Sequence, residues 1–492
     1  AHLLRRLAQQ RPVVGVVVAQ ERLVQPALTQ SPDGLDSFAS AVAHAALVAW
    51  AWARPAPPAP GAWLGLDGPG RLFLTLCSGL FLAAAFYALH YLRRESGQRH
   101  TDEEEGFFFT NSPEARFTGC MLFFLATMSL VCASRNLGLL WVAAEGTTLA
   151  SAPLIYFHRH HRSLEATWKY LLVCSVGIAL ALLGNYLLAA AAGEGADLSL
   201  DSLAQRGAAM KLPQLKAAFV LLLVGYGAKM GLAPLHTWLP DAHSEAPSLV
   251  SALLSGALLN CAFLGILRGQ QTLIAAGQAA FGQDLLTLFG LLSMAVAAAF
   301  LAFQSDYKRM LAYSSVEHMG VLALGVGLGG AGVYGAMLHA VNHSAAKAAM
   351  FFLAGNILAV YRAKNAADVR GVARALPVTG ALWIAGFLAL CGSPPFGLFA
   401  SELTILRAAL GQGQGVAAAL FLASLGVAFV GILNVALRMA QGPAPIERRR
   451  EDVLAVAPAA ALLCVALLLG VYMPPFLSAA LRHAASALGG LP

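Results

Sequence analysis

Apolar stretches of about 18 to 25 residues, the length that crosses roughly 30 Å of hydrocarbon as a helix, recur along almost the whole chain. They predict membrane-spanning helices near residues 38–53, 71–92, 117–134, 137–157, 167–192, 214–233 and 246–268. Six more follow near 284–304, 310–329, 332–360, 378–398, 415–439 and 452–474. The runs are continuous rather than alternating over about ten residues, which excludes a β-barrel. The expected fold is an all-α polytopic membrane protein. An N-terminal segment of unassigned structure (1–37) precedes the membrane domain (38–474), and a tail (475–492) follows it. The N-terminal segment has one short apolar patch, basic residues and no signal-peptide layout, so an expected first span is either eroded or incomplete there.

Composition agrees with the pattern. Of 492 residues, 58% are hydrophobic and 12% charged, against about 25% charged in soluble domains. The net charge of +7 is a topology signal, not a nucleic-acid footprint. Arg93, Arg94, Arg99, Arg159, Arg162, Lys308, Arg309, Arg362, Lys364, Arg370 and Arg448 to Arg450 fall in alternate loops. Those loops are expected on the cytoplasmic side, with the Asp197–Lys211 loop and the C-terminus opposite. The seven cysteines stand singly in apolar segments without CxxC spacing. They read as buried, inert thiols, with no metal site and no cofactor. Three other stretches carry no site. "GVGLGG" (Gly325 to Gly330) has no preceding strand and sits at a helix end, so it reads as packing or a turn. "HRHHR" (His158 to Arg162) reads as an interfacial anchor, and "HTDEEE" (His100 to Glu105) as a solvated charge run.

The informative residues are polar ones inside spans. Glu145 lies in "LGLLWVAAEGTTLASAPLIYF", and Lys229 ends "LKAAFVLLLVGYGAK". Glu402 follows "LALCGSPPFGLFAS", Lys308 and His318 bracket "KRMLAYSSVEH", and His339, His343 and Lys347 lie in "GAMLHAVNHSAAKAAMFFLAG". A charged residue at a helix centre costs about 2.5–3.5 kcal/mol against lipid, so these groups must face protein or water. His339, His343 and Lys347 are spaced four apart, which places them on one helix face over about 12 Å. Such a row suits proton relay, because each hop needs donor and acceptor within hydrogen-bond reach, directly or through water. Pro234, Pro240 and Pro247 break the segment after Lys229, and Pro394 and Pro395 break the one before Glu402. Paired interruptions in two halves of a membrane protein point to an ion path.

At "WVAAEGTTLASAPLIYFHRHHRSLEATWKYLLVCSVGIALALLGNYLL", "KMGLAPLHTWLPDAHSEAPSLVSALLSGALLNC" and "SDYKRMLAYSSVEHMG" the chain resembles the antiporter-like subunits of complex I, of multisubunit cation/proton antiporters and of group 4 hydrogenases. It is most similar to the hydrogenase-4 component F type, over roughly residues 62–440. The resemblance implies 13 to 14 helices with two inverted five-helix repeats and broken helices. It matches Glu145 to the fifth-helix glutamate and Lys229 to the seventh-helix lysine that it pairs with. Lys308 and His318 match tenth-helix positions, His339, His343 and Lys347 the eleventh-helix row, and Glu402 the twelfth-helix acid. It departs from the family where Ser255 and Asn260 stand in place of an eighth-helix lysine or histidine. A recognisable first helix and the long lateral helix of L-type subunits are also missing from the pattern.

The function expected on this basis is proton translocation within a complex I-like or hydrogenase-like assembly in a bacterial or archaeal cytoplasmic membrane. Protons (or sodium) would move past Glu145, Lys229, His236, the histidine row and Glu402, with redox chemistry left to partner membrane subunits. Its rival is a stand-alone or Mrp-type cation/proton antiporter. A redox enzyme and a non-conducting scaffold are weaker readings.

Overall fold

The computed structural model describes residues 35–55, 58–95, 100–101 and 108–490. Most of the N-terminal segment, Arg99 and the acidic run at 102–105 lie outside them. Almost every ordered element is helical: α1 (Leu35–Ala53), α2 (Gly68–Glu95), α3 (Glu114–Ala133), α4 (Leu137–Ile155), α5 (His161–Ala192), α6 (Leu200–Arg206), α7 (Leu212–Met230), α8 (Trp238–Glu245) and α9 (Ser248–Ala275). There follow α10 (Ala279–Leu301), α11 (Tyr307–Leu328), α12 (Ala331–Tyr361), α13 (Val372–Ala375), α14 (Pro377–Leu390), α15 (Gly397–Gly411), α16 (Gly415–Ala440), α17 (Val453–Val471) and α18 (Pro475–Ser486). One pair of two-residue antiparallel strands, β1 (His100–Thr101) and β2 (Phe108–Phe109), lies between α2 and α3.

Among the described residues, ten helices are long and apolar enough to cross a membrane: α2 to α5, α9 to α12, α16 and α17. The other three expected spans coincide with α1, α7 and α14. Of these, α14 has only fourteen residues before the chain breaks. The C-terminal segment expected as a tail instead forms α18, with Leu481, Ala484 and Ala485 buried.

Several helix starts have a side-chain cap. Asn136 caps α4 by accepting from the Gly138 and Leu139 amides, Asp306 caps α11 through Lys308 and Arg309, and Asp452 caps α17 through Leu454. Within hydrocarbon the helix satisfies its own backbone, so side chains alone decide orientation. Leu149, Leu172, Val176, Leu183, Leu288, Leu420 and Val430 form an exposed apolar belt. The helices α9 and α11 are buried almost throughout, and α12 mostly so. Close crossings depend on glycine. A Cβ on Gly225 of α7 would meet the Gly177 oxygen of α5 at 2.6 Å, and one on Gly320 of α11 would meet the Gly290 oxygen of α10 at 2.7 Å.

Polar contacts gather at the two ends of the bundle. At one end Arg268 pairs with Asp67, Arg135 with Asp201, and Asn136 donates to Asp197 at 2.9 Å. At the other, Asp241 takes Arg309 at 2.6 Å and Lys169 at 2.9 Å, Lys364 donates to Glu245 at 2.8 Å, and His90 meets Asp452 at 2.7 Å. This second end collects the basic loops, as the alternation of charge along the sequence predicts.

The Asp67–Arg268 pair differs from the exposed ones, because the Arg268 side chain is fully buried. Burial alone would raise the Asp67 carboxyl, but the Arg268 charge and hydrogen bond, with the Gly70 amide, hold it below the usual carboxylate range. The folded-state value lies below the unfolded one, so this stabilisation is present above about pH 4 and is lost as pH falls through the depressed value. Replacing Asp67 by Asn leaves a buried cation unpaired and should cost about 3–5 kcal/mol. Thermal melts of the detergent-solubilised protein should therefore show a large drop at neutral pH that shrinks on acidification. An unchanged melt at pH 7 would contradict the assignment.

Candidate functional site

The first polar cluster lies between α4, α5 and α7. Glu145 is half-buried, its Oε1 accepting from Ser175 at 2.8 Å and its Oε2 from the Thr148 hydroxyl at 3.3 Å. Lys229, almost fully buried, donates its Nζ to the same Thr148 hydroxyl. No direct ion pair joins Glu145 and Lys229 among the described residues. Thr148 stands between them, one turn beyond Glu145, and the two charges lie within electrostatic range. A hydroxyl both accepts and donates, so it can pass a proton that an ion pair would trap.

Directly after Lys229 the chain leaves the helix at Gly231, which takes a left-handed cap at φ 84° and ψ 27°. The irregular segment is pinned by Trp238, which donates to the Ala228 oxygen at 2.8 Å, and by the Ala233 amide, which donates to Ser293 at 2.9 Å. Carbonyls freed around the end of α8 are taken up by Lys308, whose Nζ donates to Ser244 at 2.9 Å and Ala246 at 2.7 Å. Lys308 thus holds the broken segment in place from the first turn of α11.

His236 packs against Phe300 and Tyr313, 6.2 Å from each ring, with its Nδ1 unpartnered. It is His243 that reaches α12. Its ring stacks on Phe351 at 4.9 Å and both nitrogens are buried without partners. The charges of Lys308 and Lys347 both act on it. Beside this segment, α9 contains a π-helical turn over Leu254–Leu258, a distortion common at functional sites. Ser255 shares a 2.8 Å hydrogen bond with Ser315 of α11, and Asn260 donates to Ser344 of α12 at 2.8 Å.

The second cluster lies between α11, α12 and α15. His339, His343 and Lys347 are completely buried and all face α11. His339 Nε2 lies 3.0 Å from His318 Nδ1, its Nδ1 lies 2.9 Å from the Ser401 hydroxyl, and the His318 and His343 rings are 5.1 Å apart. Lys347 donates to the Leu311 oxygen at 2.7 Å and to Ser314. Ligand atoms of Glu402, His318 and His339 lie within 4.8 Å of one another. Glycines at the break make this possible. A Cβ on Gly392 (φ 59°) would meet Glu402 at 1.9 Å, and one on Gly397 would meet Asn342 at 2.2 Å.

Glu317 belongs to this cluster although the sequence reading passed over it. It is 3% exposed, next to His318 in the chain, and its charge acts on both Lys347 and Glu402. The signal was available, since an acid in the middle of α11 carries the same insertion cost that singled out Glu145. Asn342 and Ser401 were equally unmarked. Among the described residues, six buried atoms here have no partner: His318 Nε2, both nitrogens of His343, both amide atoms of Asn342, and Glu402 Oε1. Each unpartnered buried atom costs about 1–3 kcal/mol, so the chemistry of the cluster calls for water.

A second triad of potential ligands, Cys77, Cys132 and Cys261, converges elsewhere. The sequence reading had all seven thiols standing singly and buried. Cys464 is instead exposed, and Cys120 and Cys391 are half-buried. The remaining motifs serve local structure. His160 and Ser163 form a reciprocal cap on α5, and the Gly329–Gly330 turn ends α11.

Together these features define a polytopic membrane protein with a buried, ionisable interior. Residues 134–427 match the family described as NADH:quinone oxidoreductase/Mrp antiporter, transmembrane, and the chain belongs to that family. It is 36% identical over 392 residues to the hydrogenase-4 component F homolog of Methylacidiphilum infernorum (isolate V4), covering 78% of this chain and 81% of that one. In fold it is similar to a chain of the membrane-bound sulfane sulfur reductase, an archaeal respiratory membrane complex, with TM-score 0.84, 21% identity and 97% of each chain covered. It is equally similar to a chain of the Mrp complex from Dietzia sp. DQ12-45-1b, with TM-score 0.84, 21% identity, and 98% and 97% covered. The chain is thus an antiporter-like integral membrane subunit, related to components of multisubunit assemblies.

The unpartnered atoms lead to a direct expectation. A cryo-electron-microscopy map fine enough to show solvent should contain ordered water hydrogen-bonded to His343, Asn342 and Glu402. A dry, fully resolved cluster would contradict the geometry.

Proposed function

We propose that this chain translocates protons across a bacterial or archaeal cytoplasmic membrane as one subunit of a complex I-like or group 4 hydrogenase-like assembly. The observation carrying this reading is the set of buried ionisable groups, placed on facing helices and bridged by hydroxyls and amides. Glu145 and Lys229, joined through Thr148, form the gated pair at one end. A charge displaced near Lys229 changes the balance between its protonated and neutral forms, because a buried ammonium depends heavily on nearby counter-charge. The proton released passes by water and by His243 toward Lys347, His343 and His339, then to Glu402. His236, expected in this role, has the aromatic neighbours of a gate rather than a relay. Glu317 supplies a second acid beside Lys347. Redox chemistry belongs to partner subunits, and nothing in this chain's own cluster needs a cofactor for proton movement.

Exchange of sodium for protons in an Mrp-like assembly is the second reading, favoured by the likeness to the Mrp complex. The second cluster argues for protons. Hard cations seek shells of oxygen ligands, whereas here two imidazole nitrogens and a single carboxylate converge.

Replacing Lys229 by Met in the assembled complex, reconstituted in proteoliposomes, should lower proton flux by about 10²-fold or more, the scale of a lost acid–base group. Assembly should be unchanged and flux in the parent should not depend on sodium. Normal pumping by the variant would overturn the role of Lys229. Sodium-dependent flux would favour the second reading.

A further inference from the structure

Three cysteines from three helices meet at one point in the interior. Cys77 comes from α2, Cys132 from the last turn of α3 and Cys261 from α9. Their sulfurs lie within 4.8 Å of one another, with Cys77 Sγ and Cys261 Sγ 3.7 Å apart despite a separation of 184 residues in the chain. All three side chains are buried, with relative exposures of 0%, 0% and 2%. Cys261 Sγ also lies 4.0 Å from the Met128 carbonyl. Close by, Gly70 brings α2 against the end of α3. A Cβ there would meet the Cys132 oxygen at 2.4 Å and the Arg268 Nη2 at 3.4 Å.

Packing alone asks for apolar volume at these positions, and alanine, valine or leucine would provide it. Thiols are weak hydrogen-bond donors and acceptors, so hydrogen bonding does not draw three of them together either. What three sulfurs at this spacing do well is share one soft ion. Soft sulfur ligands favour copper(I), zinc and iron–sulfur clusters among the common transition metals. Structural zinc and iron–sulfur clusters take four protein ligands, and among the described residues no fourth nitrogen, sulfur or carboxylate joins the triad. Cysteine ligates metal as thiolate, so binding copper(I) displaces the three thiol protons to solvent, and the Lys229 charge, within electrostatic range of Cys261, offsets part of the negative charge left at the site.

We propose that Cys77, Cys132 and Cys261 form a three-sulfur binding site for a soft monovalent metal ion of the copper(I) class. None of its three ligands belongs to the proposed proton path, although Cys261 lies within electrostatic range of Lys229, and the site does not depend on the proton-transfer reading. The probe is copper(I) itself, added anaerobically to the purified full chain in detergent against a competing chromogenic chelator. One equivalent per chain should be retained, with ultraviolet sulfur-to-copper charge-transfer absorption and three sulfur neighbours by X-ray absorption spectroscopy. Ala at any one of the three positions should weaken binding by more than the roughly 10–100-fold that loss of an outer-shell partner costs at metal sites. Cys174→Ala and Cys464→Ala should leave it unchanged. No retained copper, or retention that survives substitution at two of the three positions, would overturn the site. Should a variant fail to fold, the coordination number of the parent protein decides, since fewer than three sulfurs refutes the proposal.

Discussion

Everything in this structure follows from the cost of placing a charge against hydrocarbon. A single ionisable residue at mid-span costs a few kcal/mol, and α4, α7, α11, α12 and α15 each bring at least one. The bundle answers by enclosing them. Helices α9 and α11, buried nearly end to end, and α12, mostly buried, hold the polar side chains. Around them, α5, α10, α16 and α17 present leucine and valine outward. Function and stability therefore share a cause, because the same enclosure that makes insertion tolerable makes the groups responsive to one another.

Broken helices complete that enclosure. Straight helices keep their backbone groups to themselves and offer only side chains to a path. The interruption after Lys229 and the one before Glu402 expose carbonyls and create room. Lys308 takes two of those carbonyls, and Gly392 and Gly397 let Glu402 and Asn342 approach backbone that any larger residue would block. The two breaks thereby lie beside the two polar clusters, one next to Lys229 and the other next to Glu402. Exposed ion pairs such as Lys169–Asp241 contribute little by comparison and serve chiefly to fasten loops.

The spans, the two breaks and the one-sided row of His339, His343 and Lys347 were legible in the sequence, because each rests on local spacing. So was the enclosure of Glu145, Lys229 and Glu402, which stand out as charges in apolar runs. What required three dimensions was partner choice. Nothing in the spacing says that Thr148 rather than a direct contact joins Glu145 to Lys229. Of two histidines seven residues apart, spacing does not say that His243 faces α12 while His236 packs against Phe300 and Tyr313. Glu317 is a different case, legible but overlooked beside the more conspicuous His318. The convergence of Cys77, Cys132 and Cys261 was invisible, since each thiol stands alone in its own helix and only the crossing of α2, α3 and α9 unites them.

The central claim is that Glu145 and Glu402 change protonation as the protein works. Infrared difference spectroscopy of the assembled complex, comparing resting and turning-over states in the carboxyl stretching region, addresses it most directly. The account predicts carboxyl bands that disappear separately in Glu145→Gln and Glu402→Gln. Spectra with no carboxyl change, or with bands untouched by either substitution, would contradict it.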